Sequence, residues 1–296
     1  MLWILFCFVL QAAAVQPPPN ASREWKAPFI SADGFRTFAD FAYDDLDRSM
    51  QPESVGAGST VFVKGDEPYF DEFFERIHPR IAAPYILITH YMDEDGPGRF
   101  RAYLDDPKII AWFTENYDGT PHPKIHSLPI GIANYNWHAG NVETIRRVES
   151  LALPKAHFCH MSMRTWTFRA ERELAWRLFA NAPFCYTTEY KPFEEYLIDC
   201  ASSKFAISPR GNARDTHRVW ECIHFNTIPI VKTSTLDSLY EGLPVLIVDE
   251  WEQVTEPFLI EKYEAMSKQT YSMEKMTMEY WINQINEAKL AYFLDN

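Results

Sequence analysis

Apolar residues follow two alternating rhythms along this chain. Short, mostly apolar runs at residues 60–63, 85–89, 124–129, 157–161, 205–208, 228–231 and 244–248 have the length of buried strands. Between them the spacing turns helical. Phe70, Phe73, Phe74 and Ile77 share one face of a helix over residues 69–78, and Leu174, Leu178 and Phe179 share one over 168–180. Further helices are predicted over 107–117, where proline sits in the first turn, and over 142–151, 192–200 and 216–225. Residues 272–293 read as one or two helices packed through Trp281, Ile282 and Ile285, whereas residues 28–58 show no assignable period.

Strands alternating with helices predict an α/β fold of parallel sheets with helices on both faces. The alternation runs in two series that divide near Pro154. This predicts two facing Rossmann-like domains, residues 16–152 and residues 153–296 with a terminal helix. In such sheets ligands sit beyond the carboxyl ends of the strands, so the loops after residues 89, 129, 161 and 208 are the places to look for chemistry.

The richest of these loops lies within residues 205–231, FAISPRGNARDTHRVWECIHFNTIPIV. Pro209 stops a strand, and Gly211-Asn212 is a turn pair that tolerates positive φ. Asp215 or Thr216 is then placed to cap a helix. Arg210, Arg214 and Arg218 follow one another at helical spacing. Backbone N–H groups at a helix start, together with guanidinium forks, suit phosphate oxygens. Arg210, the backbone of Gly211 and Asn212, and Arg218 are therefore candidates for holding a diphosphate. His217 is a further candidate contact that can equally serve packing.

This stretch resembles the C-terminal, nucleotide-sugar-binding half of exostosin-type glycosyltransferases. The resemblance rests on Pro209-Arg210-Gly211, on Arg218 with Glu221 three residues on, and on the strand Ile228-Pro229-Ile230, and it continues through residues 236–248. Asn226-Thr227 stands where that family carries a small residue and Gly, and Asn is the next best residue for a left-handed helix end. The resemblance implies a GT-B arrangement of the two domains and an inverting transfer. It also implies a donor site that includes Glu221, placed to accept from ribose hydroxyls, alongside Arg210, Gly211, Asn212, Asp215, His217 and Arg218.

Inversion requires a base for the acceptor hydroxyl. His90 and Asp93, in the loop after residues 85–89, are the candidates, whereas Glu94 and Asp95 read as solvated. The spacing Asp93-x-Asp95 is too common to argue for a metal, and none is expected. In the loop over residues 129–140, Asn134, Trp137 and His138 offer the ring and polar groups that suit sugar faces and hydroxyls, making them candidate acceptor contacts. The loop holding Arg164, Thr165, Thr167 and Arg169 is a further polar rim.

Composition narrows the partners. A formal charge of −13 over 296 residues argues against nucleic acid, which makes the arginine segment a local exception. The apolar residues 2–10, followed by Ala12–Ala14, read as a secretory signal peptide within residues 1–15, with an uncleaved anchor as the alternative. Asn20-Ala21-Ser22 is a glycosylation acceptor that fits a secretory lumen. Cys159, Cys185, Cys200 and Cys222 lack metal spacing and allow either buried thiols or a disulfide. No G-x-S-x-G, H-E-x-x-H or P-loop motif is present. The expectation is a glycosyltransferase of the Golgi or endoplasmic reticulum lumen, or secreted. It would use a nucleotide-sugar donor, UDP-linked for preference, a glycan or protein-linked acceptor and no other cofactor. The competing readings are a non-catalytic carbohydrate- or nucleotide-binding relative, and a fucosyltransferase-like enzyme with a different donor base.

Overall fold

A computed structural model describes residues 24–295. The predicted signal segment with Cys7, the proline run and Asn20 lie outside the described residues. The first sheet holds β1 (Phe41–Tyr43), β2 (Thr60–Lys64), β3 (Tyr85–His90), β4 (Ile109–Glu115) and β5 (Ile125–Leu128), all parallel and adjacent in chain order. The second holds β6 (His157–Met161), β7 (Cys185–Thr187), β8 (Ser203–Ile207), β9 (Ile228–Lys232) and β10 (Leu246–Val248), also parallel, in the order β10-β9-β8-β6-β7. The protein is thus α/β with two Rossmann-like halves, as the strand-helix alternation implied.

The helices are α1 (Ala32–Phe38), α2 (Tyr69–Glu72), α3 (Val142–Ser150), α4 (Arg169–Phe179), α5 (Phe193–Ala201), α6 (His217–His224), α7 (Asp237–Tyr240), α8 (Glu256–Met266) and α9 (Met278–Asp295). After α2 the chain widens into a π-helical turn, Phe73–Ile77. One expectation fails outright: residues 107–117 are no helix but hold the interior strand β4, all seven residues of which are buried. A strand buried on both faces shows no alternation, so its apolar run reads equally well as a buried helix. The three-residue strands β1 and β7 carried no sequence signal, whereas β10, equally short, lies within the apolar run at 244–248.

Strand order explains how the halves join. A parallel sheet whose strands follow chain order sends every right-handed crossover over the same face. On the first sheet that face is packed by Phe70, Phe73, Phe74 and Ile77 against Val61, Leu87 and Trp112. The opposite face, with Phe62, Ile86, Ile88 and Phe113, is covered by residues distant in sequence. These are Phe35 of α1, Val219, Trp220 and Ile223 of α6, Leu239 and Tyr240 of α7, and Trp281 and Ile285 of α9. One core therefore runs across the boundary expected near residue 152. The second sheet packs Met161, Phe205, Ile207 and Ile230 against Ala175 and Phe179 of α4 and Leu259 of α8, and its other face closes on α3, α5 and α6. All four described cysteines are buried free thiols. Among the described residues no helix is long and apolar enough to cross a membrane.

The segment after β8 does not take the positive φ that its Gly-Asn pair allows; neither residue is left-handed. Nor does a side chain cap α6 at Thr216. Asp215 is instead a pin between the halves. Only 2% exposed, it accepts from Ile130 N (2.9 Å), Trp220 Nε1 (2.7 Å), Tyr240 Oη (2.9 Å) and its neighbour Thr216 N (2.8 Å). At the far end of α6, Asn226 is left-handed (φ 53°), as its sequence suggested, and Thr227 N–H reaches back to Cys222 O at 3.0 Å.

Asp215→Ala would strand three buried donors from three separate elements. It should destabilise the protein by about 3 kcal/mol or more. Urea unfolding checks this, and a shift in midpoint corresponding to under about 1 kcal/mol would contradict it.

Candidate functional site

Within the second sheet the chain begins at β6, adds β7 on one side and β8 on the other. The crossovers after β6 and β8 therefore run to opposite sides, the topology that in such sheets sets a ligand crevice at the strands' carboxyl ends. Arg218, in the first turn of α6, spans that crevice. It donates through Nη2 to Ser162 O, just past β6, and through Nη1 to Ile207 O (3.4 Å), the last residue of β8. Its Nε is buried without a partner. Arg172 of α4 ties the two loops together, donating from Nε to Arg210 O (2.7 Å) and from Nη1 to Arg164 O (3.0 Å). Glycine at 211 permits this approach, because a methyl group there would stand 3.3 Å from Arg172 Nη2. Arg210 donates to Asn212 O (2.6 Å) and lies 4.0 Å over the Phe168 ring. Arg164 lies 4.3 Å from the Tyr190 ring and 5.2 Å from that of Trp166, and these two rings are 69% and 65% exposed.

None of Arg164, Arg172, Arg210 and Arg218 holds an ion pair among the described residues, whereas Arg36, Arg80, Arg99, Arg147 and Arg214 each do. Glu171, on the same rim, accepts instead from the Arg210 backbone N–H (3.2 Å). Burial, and then the adjacent charge of Arg218, push Arg172 down to about 10. Burial and then Arg214 push Arg210 down as well. The charge of Glu171 offsets part of this, and an anionic ligand beside the arginines would offset more.

A cavity of about 410 Å³ opens at the carboxyl ends of β2, β3 and β4. Lys64 and His90 are register partners at the ends of their strands, and Glu115 ends the next. His90 is closed to ligands: Nε2 meets Pro129 O at 2.9 Å and Nδ1 meets Glu115 Oε2 at 2.9 Å. Burial disfavours charge on this ring, but Glu115 overrides it, so the His90 value is raised. Both ring nitrogens of His90 are therefore occupied. Asp93 lines the cavity, is exposed, and accepts from Asn212 Nδ2 at 3.0 Å, which connects it to the loop after β8. Asp66 lines the same cavity, and burial raises its carboxyl. Three non-glycine residues at the two sites are left-handed: Tyr91, Asn116 and Phe168, with φ of 59°, 53° and 42°. Such backbone strain concentrates at functional sites.

The remaining predicted residues divide. Asn134 and Trp137 line the cavity. Asn134 Oδ1 accepts from Asp33 N (3.1 Å), and Trp137 Nε1 donates to Tyr91 Oη (3.2 Å). His138 does not join them; it is exposed beside Phe193. His217 lines this cavity rather than the arginine crevice, its Nδ1 2.8 Å from Gly131 O. Arg214 is not a free cation, since it pairs with Asp95 across the halves while its backbone N–H reaches Asn116 Oδ1 (2.8 Å). Asp215 is spent on the fold, as described. Glu221 is 3% exposed, accepts from Tyr196 Oη (2.9 Å) and makes no ion pair with Arg218.

Glu115, Asp66, Lys64 and Arg172 were missed. The rule that ligands lie at strand carboxyl ends would have found the first three, had β4 been read as a strand and β2 followed to its end. Arg172 had no local signal, because only the meeting of two loops makes it part of the site. Among the described residues no group of His, Cys, Asp or Glu side chains is arranged to hold a metal ion. No protein-family model matches this chain, and a search of curated proteins found no match.

Burial raises Glu221 from 4.5 to about 7. A carboxyl whose folded value is raised contributes stability that is complete below its unfolded value and lost as pH rises through the folded one. Glu221→Gln should therefore melt higher than the parent at about pH 8, and the gap should close on acidification towards about pH 4.5. A gap that is the same at both ends of the range would contradict the buried, proton-binding state of Glu221.

Proposed function

We propose that this protein is a glycosyltransferase that binds the diphosphate of a nucleotide-sugar, for preference a UDP-sugar, in the arginine crevice and an acceptor in the neighbouring cavity. The observation that carries the reading is the set of four arginines without anionic partners at the crevice where the second sheet's strand order reverses. Arg218 and Arg210 would hold the diphosphate, with Arg172 fixing the two loops. The exposed rings of Trp166, Phe168 and Tyr190 flank the arginines and offer flat faces to a base or sugar. Charge on the leaving diphosphate would be met by guanidinium groups in place of a cation. The resemblance of residues 205–231 to exostosin-type enzymes supports the same assignment.

Transfer needs a base on the acceptor side. Asp93 is placed for it, lining the acceptor cavity while bonded to Asn212 of the donor loop. The Asp93–Asn212 bond couples the presence of donor to the position of the base. His90, whose Nδ1 lies 2.9 Å from Glu115 Oε2, would help to hold that carboxylate in place. The work of the enzyme would belong to the lumen of the secretory pathway, in keeping with the N-terminal sequence.

Incubation with UDP- and GDP-sugars and a panel of glycoside acceptors, read by nucleotide release, tests the reading. Turnover with at least one pair is expected. Donor binding without turnover on any acceptor would favour a binding protein instead, and no donor binding would sink both. Arg218→Ala should weaken UDP binding by about tenfold or more, since it leaves phosphate charge unpaired; calorimetry showing unchanged affinity refutes the assignment. Asp93→Asn should leave UDP affinity intact and slow transfer by about a hundredfold or more, and normal turnover would remove Asp93 from the role.

A further inference from the structure

The cavity beside the arginine crevice has a chemistry of its own. Glu115 is 1% exposed, and its two carboxylate oxygens are treated unequally. Oε2 accepts from Tyr91 N (2.7 Å) and Met92 N (3.3 Å) and faces His90 Nδ1. Oε1 is buried, lines no other hydrogen bond and belongs to a residue of the cavity wall. A buried carboxylate oxygen with no donor is costly to leave so, and a ligand hydroxyl would supply the missing proton. The rest of the wall adds Asp66 and Asp93, with Trp137 at the mouth. Lys64 is the lysine of the wall; it lies 3.7 Å from Asp45 and 4.5 Å from the ring of Tyr91, a wall residue too, so three carboxylates face one lysine.

We propose that this cavity binds an uncharged sugar, one of whose hydroxyls donates to Glu115 Oε1, and that its acidic wall rejects sugars bearing a carboxylate. The proposal rests on reading the cavity as the acceptor site and deepens it by naming the acceptor's class. An incoming uronate would bring a fourth carboxylate into a cavity already lined by Asp66, Asp93 and Glu115, and like charges at such separations repel strongly where water is scarce. A neutral pyranose meets no such repulsion. It can lay one face on Trp137 and direct a hydroxyl to Glu115 Oε1.

The test is ligand-observed NMR titration of the full chain with matched methyl glycosides, each neutral sugar beside its uronide: glucoside with glucuronide, galactoside with galacturonide. At least one neutral glycoside should bind saturably, with its uronide weaker by about tenfold or more. Glu115→Gln gives the second arm. Its amide oxygen must stay with the Tyr91 and Met92 N–H groups, so its NH₂ takes the Oε1 position and a donor replaces the acceptor. Neutral-sugar affinity should fall about tenfold while UDP affinity stays unchanged. A uronide that binds as well as its neutral partner, a Glu115→Gln chain that binds sugar normally, or no saturable binding of any of these glycosides overturns the proposal. UDP binding, measured on the same samples, separates this failure from a failure of the donor reading. Should Glu115→Gln not fold, the neutral-against-uronide comparison on the parent protein decides alone.

Discussion

The architecture depends on a single consequence of strand order. Because β1 to β5 lie side by side in chain order, their crossovers occupy one face and leave the other bare. An uncovered sheet face of Phe62, Ile86, Ile88 and Phe113 would not survive in water. The chain covers it with α6, α7 and α9, elements that come from the far side of the sequence. Helix α6 is also the helix that carries Arg218. The residue that spans the crevice is therefore held by the hydrophobic core of the opposite half, and that packing sets the position of the crevice relative to the cavity.

Buried polar groups refine that packing. Asp215 gathers donors from the loop after β5, from α6 and from α7, and Asn116, Arg214 and Asp95 join the two loops at the cleft. The cost of these choices is visible in the acids: burial raises Asp215 to about 6 and Glu221 to about 7. Both lie on or beside α6, so the helix that links the halves is also where the fold carries its most expensive carboxylates. Positive charge is managed in the opposite way. Arg36, Arg80, Arg99, Arg147 and Arg214 are matched with carboxylates, whereas Arg164, Arg172, Arg210 and Arg218 are turned towards backbone carbonyls and aromatic rings, a state that an anion would complete.

Much of the second half was legible in the sequence. The loop over residues 209–216 carries its arginines, proline and glycine within a few positions, and strands β6, β8 and β9 are bounded by clear breaks. The left-handed end at Asn226 was expected from the resemblance, together with the tolerance of Asn for positive φ. What stayed hidden was set by tertiary contacts. β4 is apolar throughout because it is buried on both faces, and so it imitated a helix; with it went Glu115. Asp215 looked like a helix cap because its partners, Ile130 and Tyr240, are remote in sequence. His90 looked like a free base because nothing local announces that Pro129 O and Glu115 take both its nitrogens. Arg172 reads as an ordinary helix-surface arginine until the loops after β6 and β8 meet over it.

The central claim is that the crevice is an anion site made by guanidinium groups lacking carboxylate partners. Calorimetric titration with UDP and with uridine, each at low and at high ionic strength, tests it most directly. UDP should bind at least about a hundredfold more tightly than uridine, and the difference should shrink as salt screens the charges. Equal affinity for the two, or a preference for UDP that salt does not touch, would contradict the claim.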